Sequence, residues 1–186
     1  MERKNKLINP LLLYIVTAVA VVGTCVGVAL SENSEEAQSM IKETVLFSGD
    51  FRSVFEKAMA IKVLWIILFA FGGINVFLIP VSLAAVFAKC YSYGFTSGCV
   101  VYTLGERGYF LVAAGLFLHN FIFTVFAVFY TTFAVNKAFE CYLNRRNYDY
   151  KLKKNKIFIG MTALTIVFSV AIALLESGIS VYFHEV

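Results

Sequence analysis

Charged residues are scarce in this chain, and their scarcity argues against a water-soluble domain. Of its 186 residues, 15% are charged and 60% are hydrophobic. A soluble domain carries about 25% charged residues, which cover its surface. The composition therefore predicts an integral membrane protein.

Catalytic and metal-binding motifs are also missing. The sequence contains no H-E-x-x-H, G-x-S-x-G or G-x-x-x-x-G-K-[ST] pattern. It has only two histidines, and its four cysteines form no C-x-x-C pair. We interpret the cysteines as small apolar side chains. The chain is therefore expected not to be an enzyme and to bind no metal or other cofactor.

What the chain does contain is four long apolar runs, at 10–30, 61–104, 109–135 and 157–175. A helix needs about 20 residues to cross the hydrocarbon layer, so the second run is long enough for two spans. The prediction is an all-α, polytopic transmembrane helical bundle that forms a single membrane domain. Its five spans are expected at 10–30, 59–77, 80–104, 109–135 and 157–177.

The distribution of charge predicts the orientation of these spans. The start, "MERKNK", is basic, and the segment 136–156 has seven Lys or Arg and two acids. The segment 31–57 has six acids and three Lys or Arg. Because cytoplasmic segments are enriched in Lys and Arg, we expect a cytoplasmic N-terminus and an outer C-terminus in a bacterial cytoplasmic membrane. A single crossing within 61–104, with a re-entrant piece, would place the most basic segment outside.

Residues 1–30 also admit a second interpretation, as a cleaved signal peptide. The basic start and the small residues of "GVAL" fit that interpretation. The apolar run is longer than a usual signal core, and Asn9-Pro10 is a typical helix start. A retained span is therefore favoured.

Two segments are predicted to lie outside the hydrocarbon. The outer region 31–57 is amphipathic, and it is either an interfacial helix or a docking surface for an extracytoplasmic partner. The basic cytoplasmic loop 136–156 is expected to attract the lipid bilayer and not nucleic acid. The candidate docking residues are Met40, Ile41, Val45, Phe51 and Phe55.

Glycines at G-x-x-x-G spacing indicate where helices pack closely. Gly23 and Gly27 lie in the first span, and Gly94 and Gly98 lie in the third. Small residues let membrane helices approach one another. The third span, which is richest in small residues, is expected to be the central helix, and a homo-oligomer is possible.

A few polar residues fall inside the predicted spans. If the turn between the second and third spans lies near Asn75–Pro80, Lys89 lies at the same depth as His119 and Asn120, near the bilayer centre. We expect a buried polar contact among these three residues, or alternatively a conduction or coupling site. A turn at Gly72–Gly73 would instead let Lys89 reach the headgroups.

Carboxylates are expected only near the outer ends of the spans, at Glu106 and Glu176. Lys89 is therefore predicted to have no ion-pair partner.

Three segments carry a family resemblance: "IKVLWIILFAFGG", "FLIPVSLAAVFAKCYSYGFTSGCVVYTLG" and "LFLHNFIFTVFAV". They resemble the stage II sporulation protein M family. Gly94, Phe95 and Gly98 match its "GF…G" run, and His119 and Asn120 match a later motif. Leu118 and Val125 stand where the family has prolines.

The resemblance implies a non-enzymatic membrane scaffold. Such a scaffold would anchor peptidoglycan hydrolases, the stage II sporulation proteins D and P, during engulfment of the forespore. The alternative function is a small permease or permease subunit that uses midplane Lys89 and His119.

Overall fold

The computed structural model describes residues 9–34, 36–38, 51–112, 118–144 and 148–184. Within these residues the regular structure is entirely helical. The helices are α1 (Pro10–Ser31), α2 (Phe51–Ile74), α3 (Ile79–Leu104), α4 (Glu106–Leu111), α5 (Leu118–Leu143) and α6 (Tyr148–His184), with a 3₁₀ turn at Val76–Leu78.

Five of these helices are long and apolar enough to cross a membrane. The candidate spans are Pro10–Ser31, Phe55–Ile74, Val76–Leu104, Asn120–Leu143 and Lys154–Gly178. The predicted all-α bundle with five spans is thus confirmed. Which end faces the cytoplasm stays a prediction.

The contacts between helices give their relative directions. Gly23 packs on Phe87 and Gly27 packs on Tyr91, so α1 and α3 run parallel. Ser82, near the start of α3, contacts Gly72 near the end of α2, so this pair is antiparallel. The chain therefore alternates in direction from span to span, with α5 parallel to α2 and α6 parallel to α3. One end of the bundle holds Asn9, the turn 75–78, the end of α5 at Leu143 and the start of α6 at Tyr148; we call it the basic end.

The turn between α2 and α3 lies at 75–78, and Pro80 occupies the first turn of α3. This agrees with the predicted turn near Asn75–Pro80 and not with the alternative turn at Gly72–Gly73. Gly72 and Gly73 lie instead in the last turn of α2. There Gly72 packs against Ser82, and Ser82 Oγ donates a hydrogen bond to the Phe69 carbonyl at 2.8 Å.

The central helix is α5 and not α3, which corrects the expectation drawn from small residues. In its span 67% of the residues are buried, against 28% for the span that contains α3. All residues from 131 to 138 are buried. The third span is rich in small residues because it packs tightly against one neighbour, α1.

The fourth span and the basic loop also differ from the expected ranges. The short helix α4 covers the start of the predicted range 109–135, and the span itself lies at Asn120–Leu143. Most of the predicted loop 136–156 belongs to α5 and α6. Asn136 and Lys137 stay helical because they are buried among other helices, where protein groups replace water as hydrogen-bond partners.

Candidate functional site: an intramembrane polar cluster

Lys89 lies on α3 and points toward the start of α5. Its Nζ atom lies 3.5 Å from Asn120 Oδ1, at the outer limit of a hydrogen bond. The rings of Trp65 and Phe123 lie 6.0 and 5.6 Å from Nζ, within the range of cation–π attraction. The structure therefore brings Lys89 and Asn120 together. The His119 backbone lies beside them on α5, and its side chain lies outside the described part of the structure.

A second ionisable pair lies close to this contact. Lys62 on α2 forms a salt bridge with Glu176 on α6, and the Lys62 side chain is 7% exposed. Lys62 and Glu176 also lie near enough to Lys89 to interact with it electrostatically. We call Lys62, Lys89, Asn120 and Glu176 the polar cluster; it joins helices α2, α3, α5 and α6.

Sequence reasoning missed the second pair. Glu176 lies near the end of the span Lys154–Gly178, as predicted, and it pairs with a buried lysine. Lys62 lies inside the span Phe55–Ile74 and is not among the predicted site residues. The sequence feature that could have indicated the pair is the presence of opposite charges, Lys62 and Glu176, within two apolar spans that run antiparallel.

The cluster carries a formal charge of +1 when its three ionisable groups are charged. A lone charge at such depth costs several kcal/mol, which a paired and hydrogen-bonded charge largely avoids. The Lys62–Glu176 pair can therefore hold α2 against α6. Lys89 contacts an amide and two aromatic rings and forms no salt bridge among the described residues, so it is the more available cation.

The four packing glycines lie in one contact between α1 and α3. A methyl group on Gly23 would lie 2.7 Å from the Phe87 carbonyl oxygen, and one on Gly27 would overlap the Tyr91 carbonyl. Gly94 faces the Thr24 backbone, and Gly98 faces the Ser31 side chain. The two G-x-x-x-G patterns therefore face each other within one chain and let the backbones touch.

The candidate docking residues are only partly described. Met40, Ile41 and Val45 lie outside the described residues, and Phe51 begins α2 without a described side chain. Phe55 is half-buried on α2. Earlier in the chain, Gln38 Nε2 donates hydrogen bonds to the carbonyl oxygens of Ser31 and Glu32, at 3.0 and 3.3 Å. These bonds fold the start of the outer region onto the end of α1.

No group of three or more His, Cys, Asp and Glu side chains that could hold a metal occurs among the described residues. The cysteines are free thiols: Cys90 and Cys99 are buried, Cys141 is half-buried and Cys25 is exposed. No protein-family model, curated protein or solved structure matches the chain. The observations together establish a polytopic helical membrane protein with a polar cluster between its helices, in which Lys62 is buried.

Proposed function

We propose that the protein is a non-enzymatic membrane scaffold, similar to stage II sporulation protein M, in a bacterial cytoplasmic membrane. It would hold peptidoglycan hydrolases of the stage II sporulation D and P type in place during engulfment. The observation that carries the proposal is the position of the residues that bear the resemblance. Gly94 and Gly98 lie in the α1–α3 contact, and Asn120 lies against Lys89. These residues hold helices together, which suits a protein that presents surfaces to partners.

The partner surface in this proposal is the outer region 31–57. Gln38 ties its first residues to the end of α1. The apolar side chains Met40, Ile41 and Val45 would then meet the partners. A short amphipathic segment fits the groove of an extracytoplasmic protein by its apolar face.

Affinity purification from membranes of sporulating cells tests the proposal. The tagged protein should recover wall hydrolases, and the double substitution Met40→Asp, Ile41→Asp should abolish that recovery. The matched control is Glu106→Lys, which changes an exposed residue at the same end of the bundle outside 31–57. If the unmodified protein recovers no wall hydrolase from cells that express both, the scaffold proposal is wrong.

A small permease is the second candidate, because two lysines and a carboxylate lie inside the spans. Charged residues at such depth often mark ion or substrate pathways. In proteoliposomes that contain the purified protein, Lys89→Met should then abolish flux while the melting temperature stays within the range of the unmodified protein. Lys156→Gln, at an exposed position outside the polar cluster, should leave flux unchanged. Flux that survives Lys89→Met would remove this candidate.

A further inference from the structure

A cavity opens at the basic end of the bundle. Its volume is about 270 Å³, and it lies between the end of α2, the turn before α3, and helices α5 and α6. Among the described residues, its lining contains one cation, two amides, a phenol and no carboxylate. The residues are Ile74, Asn75, Val76, Lys137, Ala138, Cys141, Tyr142 and Asn155.

Lys137 is the buried cation of this cavity. The residue is 7% exposed, and its Nζ atom donates a hydrogen bond to the Gly73 carbonyl oxygen at 2.7 Å. Nζ also lies 4.3 Å from the centre of the Phe158 ring. An ammonium group has three N–H donors, so donors remain for another acceptor.

No carboxylate neutralises Lys137 among the described residues. Glu140, one turn along α5, forms a salt bridge with Lys154 and accepts a hydrogen bond from Asn136. The groups that Lys137 contacts, a carbonyl and an aromatic ring, carry no formal charge. A buried cation without a counter-ion is costly, and an anion in the adjoining cavity would remove that cost.

The other polar groups of the cavity suit a phosphate group. Asn75, Asn155 and Tyr142 are exposed at its rim and can donate hydrogen bonds to phosphate oxygens. Basic pockets between transmembrane helices at a membrane surface bind the headgroups of anionic lipids.

We infer that this cavity binds a phosphate group, with Lys137 supplying the charge and Asn75 and Asn155 supplying hydrogen bonds. The phosphate is carried by an anionic lipid headgroup or by a soluble phosphate ester. The volume is just below the range of about 300–1,000 Å³ for small-molecule pockets, so it suits a headgroup-sized ligand. This site is separate from the polar cluster and does not depend on the scaffold proposal.

Native mass spectrometry of the full-length protein in detergent tests the inference. One series adds phosphatidylglycerol or phosphatidylcholine, and another adds glycerol 3-phosphate or inorganic phosphate. Selective binding of phosphatidylglycerol that glycerol 3-phosphate does not displace assigns the site to lipid. Binding of glycerol 3-phosphate alone assigns it to a soluble ester. Binding of neither overturns the inference.

Substitutions at Asn155 test the location by the sign of the added charge. Asn155→Asp should weaken binding and Asn155→Lys should strengthen it, because the side chain lies at the cavity rim and both variants leave the Lys137–Gly73 bond in place. Lys137→Gln should weaken binding about tenfold, the value of one charge-assisted hydrogen bond. Lys156→Gln is the matched control. It removes an exposed lysine that follows Asn155 on α6 and does not line the cavity.

The result that overturns the location is equal weakening by Lys137→Gln and Lys156→Gln, with no difference between the two Asn155 variants. Binding would then follow the overall charge of the basic end. If Lys137→Gln fails to fold, the opposite effects of Asn155→Asp and Asn155→Lys still decide the question.

Discussion

Lys62 and Glu176 lie in a part of the bundle where an unpaired charge is costly. Each belongs to a span, and the salt bridge joins the second span to the fifth. Removing one partner leaves the other charge buried without compensation, which costs more than losing the pair itself. The two residues should therefore be strongly coupled in their effect on stability.

Substitution of either partner alone tests this coupling. Lys62→Met and Glu176→Met should each lower the free energy of unfolding by about 3 kcal/mol. The double variant Lys62→Met, Glu176→Met should recover most of that loss, because no buried charge remains. Unfolding in mixed micelles, followed by circular dichroism, measures all three. Additive effects in the double variant would contradict the pairing.

The contact between Lys89 and Asn120 should be weaker. The 3.5 Å distance is long, and Asn120 is a neutral acceptor. In a double-mutant cycle with Lys89→Met and Asn120→Leu, we expect a coupling energy of about 0.6 kcal/mol, typical of polar contacts between membrane helices. A coupling energy as large as that between Lys62 and Glu176 would contradict the view that Lys89 and Asn120 form the weaker contact.

Helix packing depends on the glycines of α1 and α3. Alanine at Gly27 or Gly94 places a methyl group against the backbone of the opposite helix, which cannot yield as a side chain can. Each substitution should lower stability by about 1–3 kcal/mol, the usual cost of overpacking. Thermal unfolding of the purified protein measures the loss.

Gly160 and Gly178 are the matched controls for that experiment. Both lie in α6, and a methyl group on either would meet nothing within 4 Å. Alanine there should be neutral or stabilising by about 0.5–1 kcal/mol, because alanine favours the helix. If Gly27→Ala and Gly160→Ala behave alike, the close α1–α3 contact does not stabilise the protein.

Much of this element-scale picture could be predicted from the sequence, for physical reasons. Hydropathy predicts the spans because a helix needs a fixed length to cross the bilayer. The spacing of Gly94 and Gly98 predicts a close contact because it places both glycines on one face of the helix. The sequence did not reveal that Lys137 stays inside a helix. Its partner, the carbonyl of Gly73, is a backbone group 64 residues away. Every residue has such a carbonyl, so the sequence cannot indicate which one Lys137 contacts.

At the scale of the whole molecule, five alternating spans predict that the two ends of the chain lie on opposite sides of the membrane. The charge pattern further predicts that the basic end faces the cytoplasm. Fluorescent or protease-sensitive tags at residues 1 and 186 should therefore report opposite sides, with the N-terminal tag inside. Tags on the same side would contradict the alternation of the spans.

Assembly of several copies would need a surface other than the glycine contacts. The two G-x-x-x-G patterns are buried against each other within one chain, so they are not free to join two chains. The exposed apolar side chains of α1 and α6 face outward and suit contact with lipid. The glycines are therefore no evidence for a homo-oligomer.

The salt bridge between Lys62 and Glu176 also has a consequence for biosynthesis. Lys62 leaves the ribosome 114 residues before its partner. At about 5–20 residues per second, the delay is roughly 6 to 23 seconds. During that time the second span carries an ammonium group with no carboxylate to meet it. The second span is therefore expected to stay in contact with the translocation machinery, or to insert fully only when the last helix reaches the membrane.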